Sequence, residues 1–144
     1  MKARHTIIPA VFLVLRKGDD ILFQRRLNTG HGDGKLSLVG GHVDQNEPSL
    51  TTLCREAKEE IGITINKKDA KFIYLLHRKQ DDEERIDIFF EVKEWDGEIK
   101  NSEPNKCSDL IFCPINQIPL DTLPYIKHAL GDINTGVVYG EYGW

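Results

Sequence analysis

A chain of 144 residues with 40% hydrophobic and 29% charged side chains has the composition of an ordinary soluble globular protein, and its length suits one domain, residues 1–144, with one core. The formal net charge of −4 gives no pull toward nucleic acid or an anionic membrane surface, so a polyanionic partner has to be met by a local site. The three cysteines, Cys54, Cys107 and Cys113, show neither CxxC nor Cys/His zinc spacing, which points to reduced thiols in a cytoplasmic setting.

The basic-then-apolar start MKARHTIIPAVFLVL superficially has the order of a signal peptide, but Pro9 interrupts it and no small-residue cleavage site follows. Ile7 to Leu15 instead reads as a strand, Lys17 to Asp20 as a turn and Ile21 to Arg26 as the returning strand of a hairpin. The glycine-rich stretch Asn28 to Lys35 fails as a phosphate-binding P-loop, since from Gly30 that pattern needs glycine at 35 and lysine at 36, where Lys35 and Leu36 stand. It is expected to border a pocket, because it runs into a short strand, Leu36 to Val39, and then the glycine pair Gly40 and Gly41.

Leu50, Leu53, Cys54, Ala57 and Ile61 fall on one stripe of an amphipathic helix. Pro48 suits its first turn and Gly62 the left-handed residue that closes it. On that helix Glu56, Glu59 and Glu60 share about a third of the circumference, roughly 120° from the apolar stripe. Like charges at this spacing repel, so the arc calls for a cation. Carboxylates beside a glycine turn with bare backbone carbonyls supply the hard oxygens that Mg²⁺ or Mn²⁺ prefers.

Lys71 to His77 is a largely buried strand, the polar stretch Arg78 to Glu84 a turn, and Arg85 to Val92 a strand of period two. Asp87 and Phe89 lie on one face of it, where they either meet substrate or, respectively, pair with Arg85 or a neighbouring strand and pack under a helix. A polar connection from Glu98 to Ser108 leads to a strand, Leu110 to Ile115, and a helix, Asp121 to Leu130, ended by Gly131. The aromatic tail from Gly136 to Trp144 is too short for a core of its own and must dock, on the domain or on a second subunit. The five histidines lack HExxH or triad-like partners and are expected in surface or packing roles.

From Gly41 the spacing runs five residues, Glu47, seven residues, Arg55, Glu56, Ala57, one residue, Glu59, Glu60, one residue, Gly62, Ile63. A chance match at a given start is on the order of 1 in 10⁸. This resembles the complete Nudix box, and more loosely most of the chain is similar to small MutT-like Nudix hydrolases; Val39 departs from the pattern where many members carry proline. The resemblance implies an α/β (α+β) fold, the α/β/α sandwich with a mixed β-sheet, and hydrolysis of a nucleoside diphosphate linked to some group X. By position in the motif it implies metal ligands Glu56, Glu59, Glu60 and the Gly41 carbonyl, with Glu56 also serving the attacking water, Arg55 steadying Glu56, and Glu47 tying loop to helix. A further catalytic acid from the loop after the central hairpin is expected, and of Glu98, Glu103 and Asp109 the choice is Glu103. The implied cofactor is Mg²⁺ or Mn²⁺, and the partner a small nucleotide, with no membrane and no long nucleic acid; a homodimer stays open. Nucleotide sugars, dinucleoside polyphosphates or capped RNA ends, and nucleotide sensing without turnover, are the alternatives.

Overall fold

The computed structural model describes residues 1–144 and is organised around strand β1 (Ile8–Lys17). Its run Ala10-Val11-Phe12-Leu13-Val14-Leu15 is buried without interruption. Ala10, Phe12 and Val14 enter one hydrophobic cluster, and Val11, Leu13 and Leu15 enter another. Successive strand residues point to opposite faces, so both faces of the sheet are covered, which is why this strand reads as a continuous apolar run.

A turn at Gly18 leads to β2 (Asp20–Arg26), followed by β3 (Leu36–Ser37), β4 (Gly40–His42) and helix α1 (Ser49–Ile61). A single 3₁₀ turn, Lys67–Asp69, precedes the long hairpin of β5 (Ala70–Gln80) and β6 (Glu83–Val92). Strand β7 (Cys107–Pro114), helix α2 (Pro124–Asn134) and β8 (Tyr139–Tyr142) complete the chain. The sheet runs β3-β2-β1-β6-β5-β8, with β4 added to β1 and β7 to β2. It is mixed, because β1–β6 and β5–β8 are parallel and the other pairs antiparallel.

Leu53, Ala57 and Ile61 of α1 pack into the cluster containing Val11, Leu13 and Leu15. Ile126, Ala129 and Leu130 of α2 pack into the one containing Ala10, Phe12 and Val14. The helices therefore cover opposite faces, giving the α/β/α sandwich. No helix is long and apolar enough to cross a membrane.

Three local expectations need correction. Arg78 to Glu84 is mostly strand: Arg78, Lys79 and Gln80 pair with Arg85, Glu84 and Glu83, and only Asp81-Asp82 turns. Backbone pairing in a tight hairpin is indifferent to side-chain polarity, so a polar run concealed two strand ends. The second helix starts at Pro124, not Asp121, because Leu36 and residues 121–123 are bonded backbone to backbone first. Gly131 lies inside this helix; the roughly 1 kcal/mol cost of a helical glycine is offset by carrying Ile133 onto the core.

The tail docks on its own domain. Strand β8 adds to β5 from Leu75↔Tyr139 to Arg78↔Tyr142, and the Trp144 indole N–H donates to the His77 carbonyl at 3.1 Å.

Candidate functional site

Helix α1 ends on Gly62 at φ 74°, whose N–H donates to the Lys58 carbonyl. Pro48 sits at its N-cap, one position before the first turn. The loop leading in is clamped by Arg55, which donates from Nε and Nη2 to the two oxygens of Glu47, each at 2.9 Å. The Thr52 hydroxyl adds a 2.6 Å bond to the same carboxylate. Arg55, then Thr52, hold Glu47 down at about 2. The remaining Arg55 nitrogen, Nη1, donates to Glu56 at 2.9 Å and lies 3.5 Å from Glu59.

Glu56 lies against the backbone of Gly41, where a Cβ would stand 2.4 Å from its Oε1; only glycine permits this approach. Glu60 receives the Gln24 amide at 2.9 Å on Oε1 and the Gly40 N–H at 3.2 Å on Oε2. Burial pushes the Glu60 carboxyl well above the usual range, with the charges of Glu56 and Glu103 adding to it and Gln24 opposing. Burial also raises Glu56, against Arg55. The two carboxyls lie close enough for the charge of Glu56 to raise Glu60 further. Two carboxyls crowded in this way repel when both are ionised, and a divalent ion held there would relieve that repulsion.

No three acidic, histidine or cysteine side chains converge on a single point. Glu56 and Glu60 meet, while the Glu59 side chain is 52% exposed beside Arg55. The donor set nonetheless fits a hard dication: crowded carboxyls lifted by burial, on a rigid helix, against a backbone without side chains.

Glu60 also forms part of a cleft of about 380 Å³, within the range of nucleotide-sized ligands. Arg26, Arg78, Arg85, His42 and Tyr125 line the rest of it, together with the loop residue His31, as expected for that glycine-rich stretch. Arg78 and Arg85 face each other across β5 and β6, an unfavourable pairing of like charges. Asp87, fully buried, accepts from Arg78 Nε at 2.7 Å and neutralises one of them. The Arg78 guanidinium also lies 3.7 Å over the Tyr125 ring, a contact worth up to about 2 kcal/mol when desolvated. Arg85 donates to Glu83 at 2.6 Å and approaches His42 at 2.8 Å, while its Nε is buried with no protein partner.

The structure thus brings Gly41, Arg55, Glu56 and Glu60 together. Asp87 and Phe89 share a face as expected, and both are engaged in structural contacts: Asp87 holds Arg78, on the neighbouring strand, and Phe89 stacks on Phe12 at 5.1 Å within the core. Glu103 stands near the acid pair because its loop caps α1, with Lys100 and Ser102 N–H groups donating to the Ile61 and Glu60 carbonyls. Asp109 pairs with Arg25, and Glu98 is exposed. Sequence reasoning missed Gln24, Arg26, Arg78, Arg85, His42 and Tyr125 as residues of the cleft. The available signal was Gln24, a polar residue closing the apolar run Ile21-Leu22-Phe23.

The family model described as NUDIX domain matches residues 6–130. Over 119 residues the chain is 26% identical to 8-oxo-dGTP diphosphatase of Escherichia coli (strain K12), covering 81% of this chain and 91% of that protein. Its fold is similar to the MutT NUDIX hydrolase from Burkholderia pseudomallei, with a TM-score of 0.79 and 22% identity over 88% of this chain and 98% of the other. The MutT protein from Methanosarcina mazei Go1 gives 0.79 and 20% over 93% and 97%. A UDP-X diphosphatase gives 0.68 and 20% over 96% and 69%. At these identities the solved structures speak to the fold, and membership rests on the family match, which spans most of the chain and contains the whole spacing from Gly41 to Ile63. The chain belongs to the NUDIX domain family and is a Nudix hydrolase.

Proposed function

We propose that the protein hydrolyses a nucleoside di- or triphosphate, or a related nucleoside diphosphate linked to a group X, by attack of water on phosphorus with Mg²⁺ or Mn²⁺ as cofactor. One observation carries this reading: the part-buried acid Glu60, crowded by the charge of Glu56, opens into the same cleft as Arg26, Arg78, Arg85 and Tyr125. Acids at one end, suited to a dication, and arginines at the other match the charge of a metal-bound nucleotide.

Glu56, Glu59, Glu60 and the Gly41 carbonyl are the proposed metal ligands. When bound, the dication neutralises phosphate charge and lowers the pKa of water. Glu56 then orients or deprotonates the attacking water, and Arg55, fixed by Glu47, keeps that carboxylate in place. Glu103 supplies a further acid, a role favoured by the reach of its charge to Glu60. At the other end Arg26 and Arg85 offer donors, and Tyr125 holds the Arg78 guanidinium at the cleft wall.

The relative named for 8-oxo-dGTP favours nucleoside triphosphates as first substrates to try, a house-cleaning activity against damaged or surplus nucleotides. Net charge of −4 disfavours long RNA, and three free cysteines favour a cytoplasmic setting. The test is a panel of nucleoside triphosphates, nucleotide sugars and dinucleoside polyphosphates with Mg²⁺, with products separated by chromatography. Release of a nucleoside monophosphate or phosphate from one class assigns the substrate. No turnover of any member, with binding retained, leaves the sensor reading in its place.

A further inference from the structure

The geometry points to Gln24, a residue outside the motif, as a positioning residue for Glu60. Gln24 lies on β2 and is 8% exposed. It alternates with Phe23, so it projects to the same face as Leu22, whose cluster packs against α1. A buried amide in such a place costs a few kcal/mol unless its hydrogen bonds are made. Its Nε2 donates to the Leu38 carbonyl at 3.3 Å and to Glu60 Oε1 at 2.9 Å. The Leu38 carbonyl only accepts, which fixes the amide nitrogen, rather than the oxygen, on this side.

Glu60 is also the one acid of the arc that Arg55 does not touch, since Arg55 reaches Glu47, Asp44, Glu56 and Glu59. Gln24 and the Gly40 N–H each take one Glu60 oxygen. Helix α1 delivers the carboxyl, and the sheet sets its plane. A neutral donor does this without cancelling the negative charge; a lysine or arginine at 24 would orient Glu60 and repel a dication. The Gln24 backbone pairs with Ser37 on one side and Leu110 on the other, so the amide stands on a fixed base.

This inference rests on the reading of Glu60 as a metal ligand. The experiment is Mn²⁺ binding to substrate-free protein, followed by electron paramagnetic resonance, for wild type, Gln24→Met, Glu60→Gln and the double variant, with kcat and KM measured alongside. Gln24→Met should weaken Mn²⁺ by about 10-fold or more, the scale seen for partners of metal ligands. It should lower turnover at limiting metal more than at saturating metal. In the Glu60→Gln background it should cause no further loss, because the amide acts only through Glu60. Wild-type Mn²⁺ affinity in folded Gln24→Met, or a full additional loss in the double variant, overturns the role. Wild-type affinity in Glu60→Gln overturns the ligand reading instead. If Gln24→Met does not fold, Gln24→Asn, which keeps an amide but shortens its reach, carries the same comparison.

Discussion

The two ends of the cleft are built in different ways. The acidic end comes from one continuous segment, with Glu47, Arg55, Glu56, Glu59 and Glu60 spaced so that a single helix and its leading loop bring them together. The basic end is gathered from β2, β4, β5, β6 and α2, and no two neighbours in sequence contribute to it. The acidic end tolerates repulsion because a cation relieves it. The basic end holds its like charges with a carboxylate of its own, Asp87. One end is suited to chemistry and the other to recognition, so substitutions should separate kcat from KM.

The largest expected effect is at the acidic end. Glu56→Gln should lower kcat by roughly 10² to 10⁴, about 3 to 5 kcal/mol, while the protein stays folded. A variant that keeps more than about a tenth of the wild-type rate at saturating Mg²⁺ would remove Glu56 from its role. At the basic end the comparable loss is in stability. Asp87→Asn leaves the buried Arg78 charge without its counterion, and urea unfolding should show a loss of about 3 to 5 kcal/mol. A loss below about 1 kcal/mol, the scale of an exposed pair, would mean that solvent or Tyr125 suffices to hold Arg78.

Smaller effects sharpen the division. Arg85→Met should raise nucleotide KM about 10-fold, about 1.4 kcal/mol, with kcat near wild type. Equal falls in kcat and kcat/KM would instead place Arg85 in the chemical step. Glu103→Gln should show the opposite split, kcat down about 10-fold and affinity unchanged, whereas a wild-type kcat beside a crippled Glu98→Gln or Asp109→Asn moves the role to that residue.

The smallest effect is a pH dependence at the Glu47–Arg55 clamp. Arg55 holds Glu47 at about 2 in the folded protein, below the ordinary carboxylate value of 4.5, so its ionised form favours the fold. That stability is present above about 4.5 and is lost as pH falls toward 2. Wild type should therefore be more stable than Glu47→Gln near neutrality, with the gap closing through this window. Denaturant midpoints across pH test it, and a gap independent of pH would assign the effect to packing.

The acidic end is legible in the chain because its geometry is local. Residues three and four apart share a helix face whatever the surroundings, so Glu56, Glu59 and Glu60 lie in one arc, and Gly62 closes the helix in any fold. The spacing of Gly41 and Glu47 before that helix carried the family. Strand positions were also legible, since the apolar run of β1 and the alternation in β6 follow directly from which faces are covered. The rest depends on how distant segments pack. Arg78 reads as a turn residue until β5 and β6 are paired, and that register sets it beside Asp87 and opposite Arg85. Gln24 and Glu60 are 36 positions apart and meet only because α1 packs across the face of β1 and β2. Gly131 breaks helices locally, yet burial of Ile133 carries α2 past it. Each of these depends on long-range packing, whose free energy outweighs local preference but leaves no periodic signal in the chain.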